Sequence, residues 1–141
     1  GAWVSLLNRA ARTYFTKALS PYSVGPGQQA YLLVVRPGES VTQLEIADRL
    51  SMNKANVTRA VRSLCNAGYF TRTRPVRDQR KWSVSLTPEG VRVRSAVERH
   101  MIDWVSSIRP DLSEDQWERF VSLLESIAER AMEKACETDA E

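Results

Sequence analysis

Six residues within a span of ten, Asn53, Lys54, Asn56, Thr58, Arg59 and Arg62, share a stretch with helical periodicity. Val57, Ala60, Val61, Leu64 and Cys65 make its apolar stripe, Asn53 is placed as N-cap, and the other five take the opposite face. A helix of this polarity fits the DNA major groove, about 12 Å wide, where base edges present distinguishable donor and acceptor patterns. Asn56 has the amide for a bidentate bond to adenine, and Arg59 the fork for guanine. Lys54, Thr58 and Arg62 suit phosphate contacts or fixing the helix register. The plainer reading is a solvated helix face.

A second cationic group follows. Arg74, Arg77, Arg80 and Lys81, with one anion, Asp78, lie between two runs that alternate with period two, Tyr69 to Thr73 and Trp82 to Leu86. This predicts a hairpin with a basic tip. Arg80 suits a narrow minor groove, where the negative potential is enhanced. Asp78, two residues away on the same side of an extended segment, is expected to orient it. Taken alone, the pair is a surface ion pair worth under ~1 kcal/mol.

Catalytic chemistry finds no foothold. His100 is the only histidine, and the two cysteines stand 71 positions apart. Neither a nucleophile–base pair nor a metal-ligand spacing is present, so no enzyme and no cofactor is expected. Cys65, on the inward stripe, is expected to be an inert small hydrophobe, and Cys136 to lack an activating environment.

The elements that position these groups are short and well punctuated. Val4, Leu7, Ala11, Tyr14 and Ala18 predict an amphipathic helix over 3–19, ended by Ser20-Pro21. Gln28 to Val35 reads as a short buried helix stopped by Pro37-Gly38. Thr42-Gln43-Leu44-Glu45 is a capping box starting a helix through Leu50, with Leu44, Ala47 and Leu50 expected inward. Ser51-Met52 then joins it to the polar-basic helix, which Gly68 closes. Two short helices so joined are a helix-turn-helix, and with the basic hairpin they make a winged helix. Thr87-Pro88-Glu89 starts a helix reaching Pro110, and Ser113 to Gln116 is a second capping box opening a helix to about 135. Glu137 to Glu141 are expected to fray.

At 141 residues, 43% apolar and 26% charged, the chain has the size of one ordinary domain. The longest apolar run is six residues, Ala30 to Val35, against the ~20 a membrane span needs. No basic segment precedes an apolar one as in a signal peptide, and a reducing cytoplasm is the expected location. Charge is sorted along the chain: net +3 over 1–35, +7 over 36–94 and −7 over 95–141. That pattern reads as a polyanion-facing middle joined to helices that face something else.

The run Asp78-Gln79-Arg80-Lys81-Trp82-Ser83-Val84-Ser85-Leu86-Thr87-Pro88-Glu89-Gly90 resembles the wing and following helix start of the MarR family of bacterial transcription regulators. That family has an Asp-x-Arg pair at the wing tip, then a strand and a Leu-Thr-x-x-Gly helix start. Leu44, Ala47 and Leu50, and the stretch from Lys54 through Arg59, Leu64 and Gly68, stand where its helix-turn-helix does. The resemblance covers about residues 42–90. Gln79 departs from the frequent Asp-Arg-Arg tip, leaving Arg77 and Lys81 to supply the missing cation.

The resemblance implies a mainly α fold with a small β-hairpin, one domain over 1–141. Within it, a winged helix-turn-helix over about 27–87 is flanked by dimerisation helices over about 3–20 and 88–135. It implies a homodimer on a palindromic double-stranded operator, acting as a repressor released by a small phenolic or anionic ligand. Trp3, Trp104 and Trp117 are the expected excess apolar surface for a partner chain. Tyr14, Tyr22 and Tyr31 lie on segments suited to line a ligand cleft, or to fill the core. The rival function is a winged-helix protein-interaction module without sequence-specific DNA binding, against which the basic middle speaks.

Overall fold

The computed structural model describes residues 1–74 and 82–138, with side chains through residue 135. Its elements in chain order are α1 (Ala2–Leu19), α2 (Gln29–Val34), β1 (Val41–Thr42), α3 (Gln43–Leu50), α4 (Lys54–Asn66), β2 (Phe70–Thr73), β3 (Ser83–Leu86), α5 (Pro88–Ile108) and α6 (Glu114–Thr138). A single 3-10 turn, Ser20–Tyr22, follows α1. None of the helices is long and apolar enough to cross a membrane, among the described residues.

Helix starts follow local chemistry. The Thr42 hydroxyl accepts from Glu45 N at 3.2 Å, while the Glu45 carboxylate accepts from Thr42 N at 2.7 Å. Ser113 and Gln116 repeat the exchange at the start of α6. Asn53 caps α4 by accepting from Asn56 N at 2.8 Å, and Thr87 caps α5 by accepting from Gly90 N at 2.9 Å. Each side chain satisfies a backbone donor that the first turn of a helix leaves without an internal partner.

The chain divides into two compact units, residues 1–105 and the residues from 106 onward. The first has a continuous core in which Leu19, Leu32, Ile46, Val57, Leu64 and Val97 are at most 1% exposed. Apolar burial at about 25 cal/mol per Å² is its main driving force. In the second unit no described side chain of α6 is buried; Trp117 is half-covered by Phe120 and by the Arg109 guanidinium, 5.2 Å above its ring.

Four expectations need correction. Leu44 is 63% exposed, and Ile46 takes the inward place beside Ala47. At 100° per residue, Leu44 lies about 200° round α3 from Ile46, outside the stripe that the core covers. The sheet has three strands, in the order β1-β3-β2, all pairs antiparallel. β1 pairs Val41 with Val84 and Thr42 with Ser83, and two residues are too few to show a period. Trp104 packs within its own chain, its ring 4.9 Å from that of Tyr14 and 6.1 Å from that of Phe15. Helix α6 also continues past 135 to Thr138, so Glu137 is helical; residues 139–141 lie outside the described residues.

One ion pair pins the approach to α3. Glu39 accepts from Arg49 Nη2 at 2.7 Å and from Arg36 N at 3.0 Å. The Arg49 hydrogen bond, and after it the Arg36 N–H, lower its pKa from 4.5 to about 2. A folded pKa below the unfolded one gives stability that is fully present above the unfolded pKa and lost as pH falls through the folded one. Glu39→Gln is therefore expected to melt below wild type at neutral pH and to converge with it as pH drops from 4.5 towards 2. Parallel pH–stability curves for the two proteins would rule this out.

Candidate nucleic-acid interface

The interface is built on α4. Its apolar stripe is fixed from below: Val57, Val61 and Leu64 are fully buried and Ala60 nearly so. The turn before it is held by Ser51, the C-cap of α3 in the left-handed region (φ 51°), and by Met52 N donating to Ala47 O at 3.0 Å. With the stripe inward, Lys54, Arg59 and Arg62 project into solvent and Asn53 is exposed at the cap.

Two of the expected reading residues are tied locally. The Asn56 Oδ1, half-buried, accepts from Arg59 Nη2, so the two sit together one turn apart on the exposed face. The Thr58 hydroxyl, part-buried, lies within donor distance of Gln43 Oε1 (3.1 Å) and Lys54 O (2.9 Å). Thr58 thus faces α3 and holds the two helices in register; it does not point outward as the helical wheel suggests.

At the neck of the hairpin, Arg74 is exposed with its guanidinium carbon 4.3 Å from the centre of the Trp82 ring. Arg72 stands 4.8 Å from the same ring. Neither Arg72 nor Trp82 was expected at the site; the signal was their two-residue alternation, which only the strand register turns into proximity. Arg77, Asp78, Arg80 and Lys81 lie outside the described residues.

The electrostatics are one-sided. Four ion pairs occur among the described residues, and none uses Lys54, Arg59, Arg62, Arg72 or Arg74. Those cations therefore keep their charge available for a polyanion. Cys65 is half-buried beneath them, and burial pushes its thiol pKa up against the pull of Arg72, which disfavours the reactive thiolate. No group of three metal-ligating side chains occurs among the described residues.

Two hollows flank the loop Pro26-Gly27 in the first unit. One, about 420 Å³, is lined by Asn8, Ala11, Arg12, Phe15, Leu33 and Met101 among others, with Gln29 in its wall. The Gln29 Oε1 is itself closed to solvent and has no hydrogen-bond partner. The other, about 490 Å³, opens between that loop and α4, against Tyr31, Met52, Asn56 and Arg59. Gln28 bridges the loop to α4: its Oε1 accepts from Gly25 N and its Nε2 donates to Ser63 Oγ, both at 2.9 Å. Tyr14 and Tyr22 line neither hollow and pack against the core, and Tyr31 is buried with only an edge on the second.

The model of the MarR family matches residues 28–82, which span α2 through the base of the wing. A MarR transcriptional regulator from Methanosarcina mazei Go1 superposes with a TM-score of 0.81 at 26% identity, over 94% of this chain and 96% of that one. The chain is thus similar to MarR-family proteins in sequence over residues 28–82 and in fold over nearly its whole length. Members of that family are transcription regulators and not enzymes, and this chain has their winged-helix fold. It is 27% identical over 125 residues to the HTH-type transcriptional repressor YetL of Bacillus subtilis (strain 168), covering 88% of this chain and 73% of that protein. The fold is shared with a mutant MarR from E. coli solved in complex with operator DNA, with a TM-score of 0.77, 22% identity and coverage of 90% and 91%. In the MarR-family frame, Leu86-Thr87-Pro88-Glu89-Gly90 has a structural cause. The Thr87 hydroxyl donates to Gly68 O at 2.6 Å and caps α5, and Gly90 lets α5 start against the backbone of Tyr69.

Proposed function

We propose that this regulator is a homodimeric repressor that occupies a palindromic operator and is released by a small amphipathic ligand. The observation that carries the DNA reading is the uncompensated face of α4, where Lys54, Arg59 and Arg62 stand exposed over a fully buried stripe. Asn56 and Arg59 read base edges in the major groove, and Asn53, Lys54 and Arg62 meet the phosphates. Thr58 serves the register of α3 and α4. Arg74, Arg77, Arg80 and Lys81 form the wing's cationic surface, with Arg80 in the minor groove and Asp78 orienting it. The operator-bound MarR from E. coli and the repressor YetL are consistent with this mode.

Dimerisation is supported by apolar surface that its own chain leaves uncovered. Trp3 is 78% exposed on α1, and Leu123 and Ile127 are 65% and 63% exposed on α6. Such patches mark interaction surfaces. The hollow beside Gln29 suits the ligand: an apolar ring against Phe15 and Met101, and an anionic group within reach of the exposed Arg12.

Selection of binding sites from a random duplex library at about 150 mM salt tests this reading. The expected product is a two-fold symmetric motif with half-sites about 10–10.5 base pairs apart. Arg80→Ala is expected to bind it about tenfold more weakly with an unchanged melting temperature. Salt-sensitive binding without any enriched motif would favour the interaction-module reading instead.

A further inference from the structure

We propose that Arg72, Arg74 and Trp82 form a phosphate clamp at the neck of the wing, holding one phosphodiester of the duplex backbone. This rests on the DNA-binding reading above and adds to it a contact and a positioning residue. Arg72 lies in β2 and Arg74 one residue past its end, and the two side chains meet at the same ring. The ladder of β2 with β3 ends with Arg72 opposite Val84 and Thr73 opposite Ser83, which brings Trp82, the residue before β3, level with Arg74. Both guanidinium groups lie against its indole, at 4.3 and 4.8 Å from the ring centre.

That arrangement does two things. A guanidinium lying against an aromatic face engages it with its π surface, so the in-plane N–H donors stay available to a phosphate fork. The ring also fixes two long side chains that would otherwise sweep solvent, lowering the ordering cost of binding. Two like charges gathered on one ring repel each other until an anion joins them, and no carboxylate pairs with either among the described residues. Arg72 and Arg74 are the contacting residues, and Trp82 positions them.

Affinity for the selected operator, measured by fluorescence anisotropy from about 50 to 200 mM salt, tests the clamp. Arg72→Gln is expected to weaken binding about tenfold for operator and unrelated duplexes alike, and to reduce the slope of log K against log salt by about 1. Trp82→Leu, which removes no charge, is expected to weaken binding about fivefold, with Trp82→Phe restoring most of it. Melting temperatures should stay at the wild-type value, since Trp82 lies outside the ladder and at the surface. Wild-type affinity and salt slope in Arg72→Gln would overturn the clamp, as would Trp82→Phe binding no better than Trp82→Leu. Should Trp82→Leu fail to fold, the slope of Arg72→Gln alone decides. A wild-type protein that binds no duplex would overturn the DNA reading itself, and the clamp with it.

Discussion

Gly90→Ala is expected to destabilise the protein by about 3 kcal/mol and to lower its melting temperature by on the order of 10 °C. A Cβ on Gly90 would stand 2.0 Å from Tyr69 O and 2.9 Å from Tyr69 C, with Leu86 Cδ2 at 3.1 Å. The obstacle is backbone, and it is held on both sides. Tyr69 N donates to Leu64 O and Tyr69 O accepts from Thr87 N, both at 2.9 Å. Relief would require α5 to back away from β2 and so break the α5 cap at Thr87. The sign makes the test sharp, because alanine elsewhere inside a helix is favoured over glycine by about 1 kcal/mol. A urea or thermal melt in which Gly90→Ala matches or exceeds wild type would show that the contact yields.

The second large effect concerns assembly. Leu123→Glu combined with Ile127→Glu places two carboxylates one turn apart on the apolar face of α6. Sedimentation at micromolar concentration is expected to show a monomer in place of a dimer. Affinity for a full palindrome should fall at least about 100-fold, because binding the second half-site is no longer intramolecular. The winged-helix unit has its own core in residues 1–105, so a monomeric variant that still folds keeps weak affinity for a single half-site. A dimer that survives both substitutions would move the interface elsewhere, and a wild type that sediments as a monomer would overturn the homodimer.

What the sequence discloses here is mostly what is decided within one turn of chain. The capping boxes at Thr42 and Ser113, and the caps at Asn53 and Thr87, depend on partners three residues away. The stripe of α4 is equally local, since its period alone separates the buried face from the cationic one. Long-range packing decided the rest. Leu44 and Ile46 are equivalent as hydrophobes, and only the position of the core chooses between them. β1 exists because β3 offers it an edge, and Trp104 is half-buried because α1 brings Tyr14 and Phe15 against it. At the site, the polar-basic face could be read directly. The turning of Thr58 to Gln43, and the meeting of Arg72 with Trp82, required the positions of α3 and β3.

The loop Pro26-Gly27 is a party wall, with the Gln29 hollow on one side and the Asn56–Arg59 hollow on the other. Gln28 ties that wall to α4 through Ser63. In the proposed mechanism, filling the first hollow presses on the same few residues that carry the reading helix, so the two binding events share one free energy of interaction. Thermodynamic linkage then runs both ways: whatever factor the ligand removes from operator affinity, the operator removes from ligand affinity. Protein already seated on DNA is, by that reciprocity, the poorest detector of the ligand, and protein free in solution the best. Sensing would begin in the unbound pool and reach the operator by mass action.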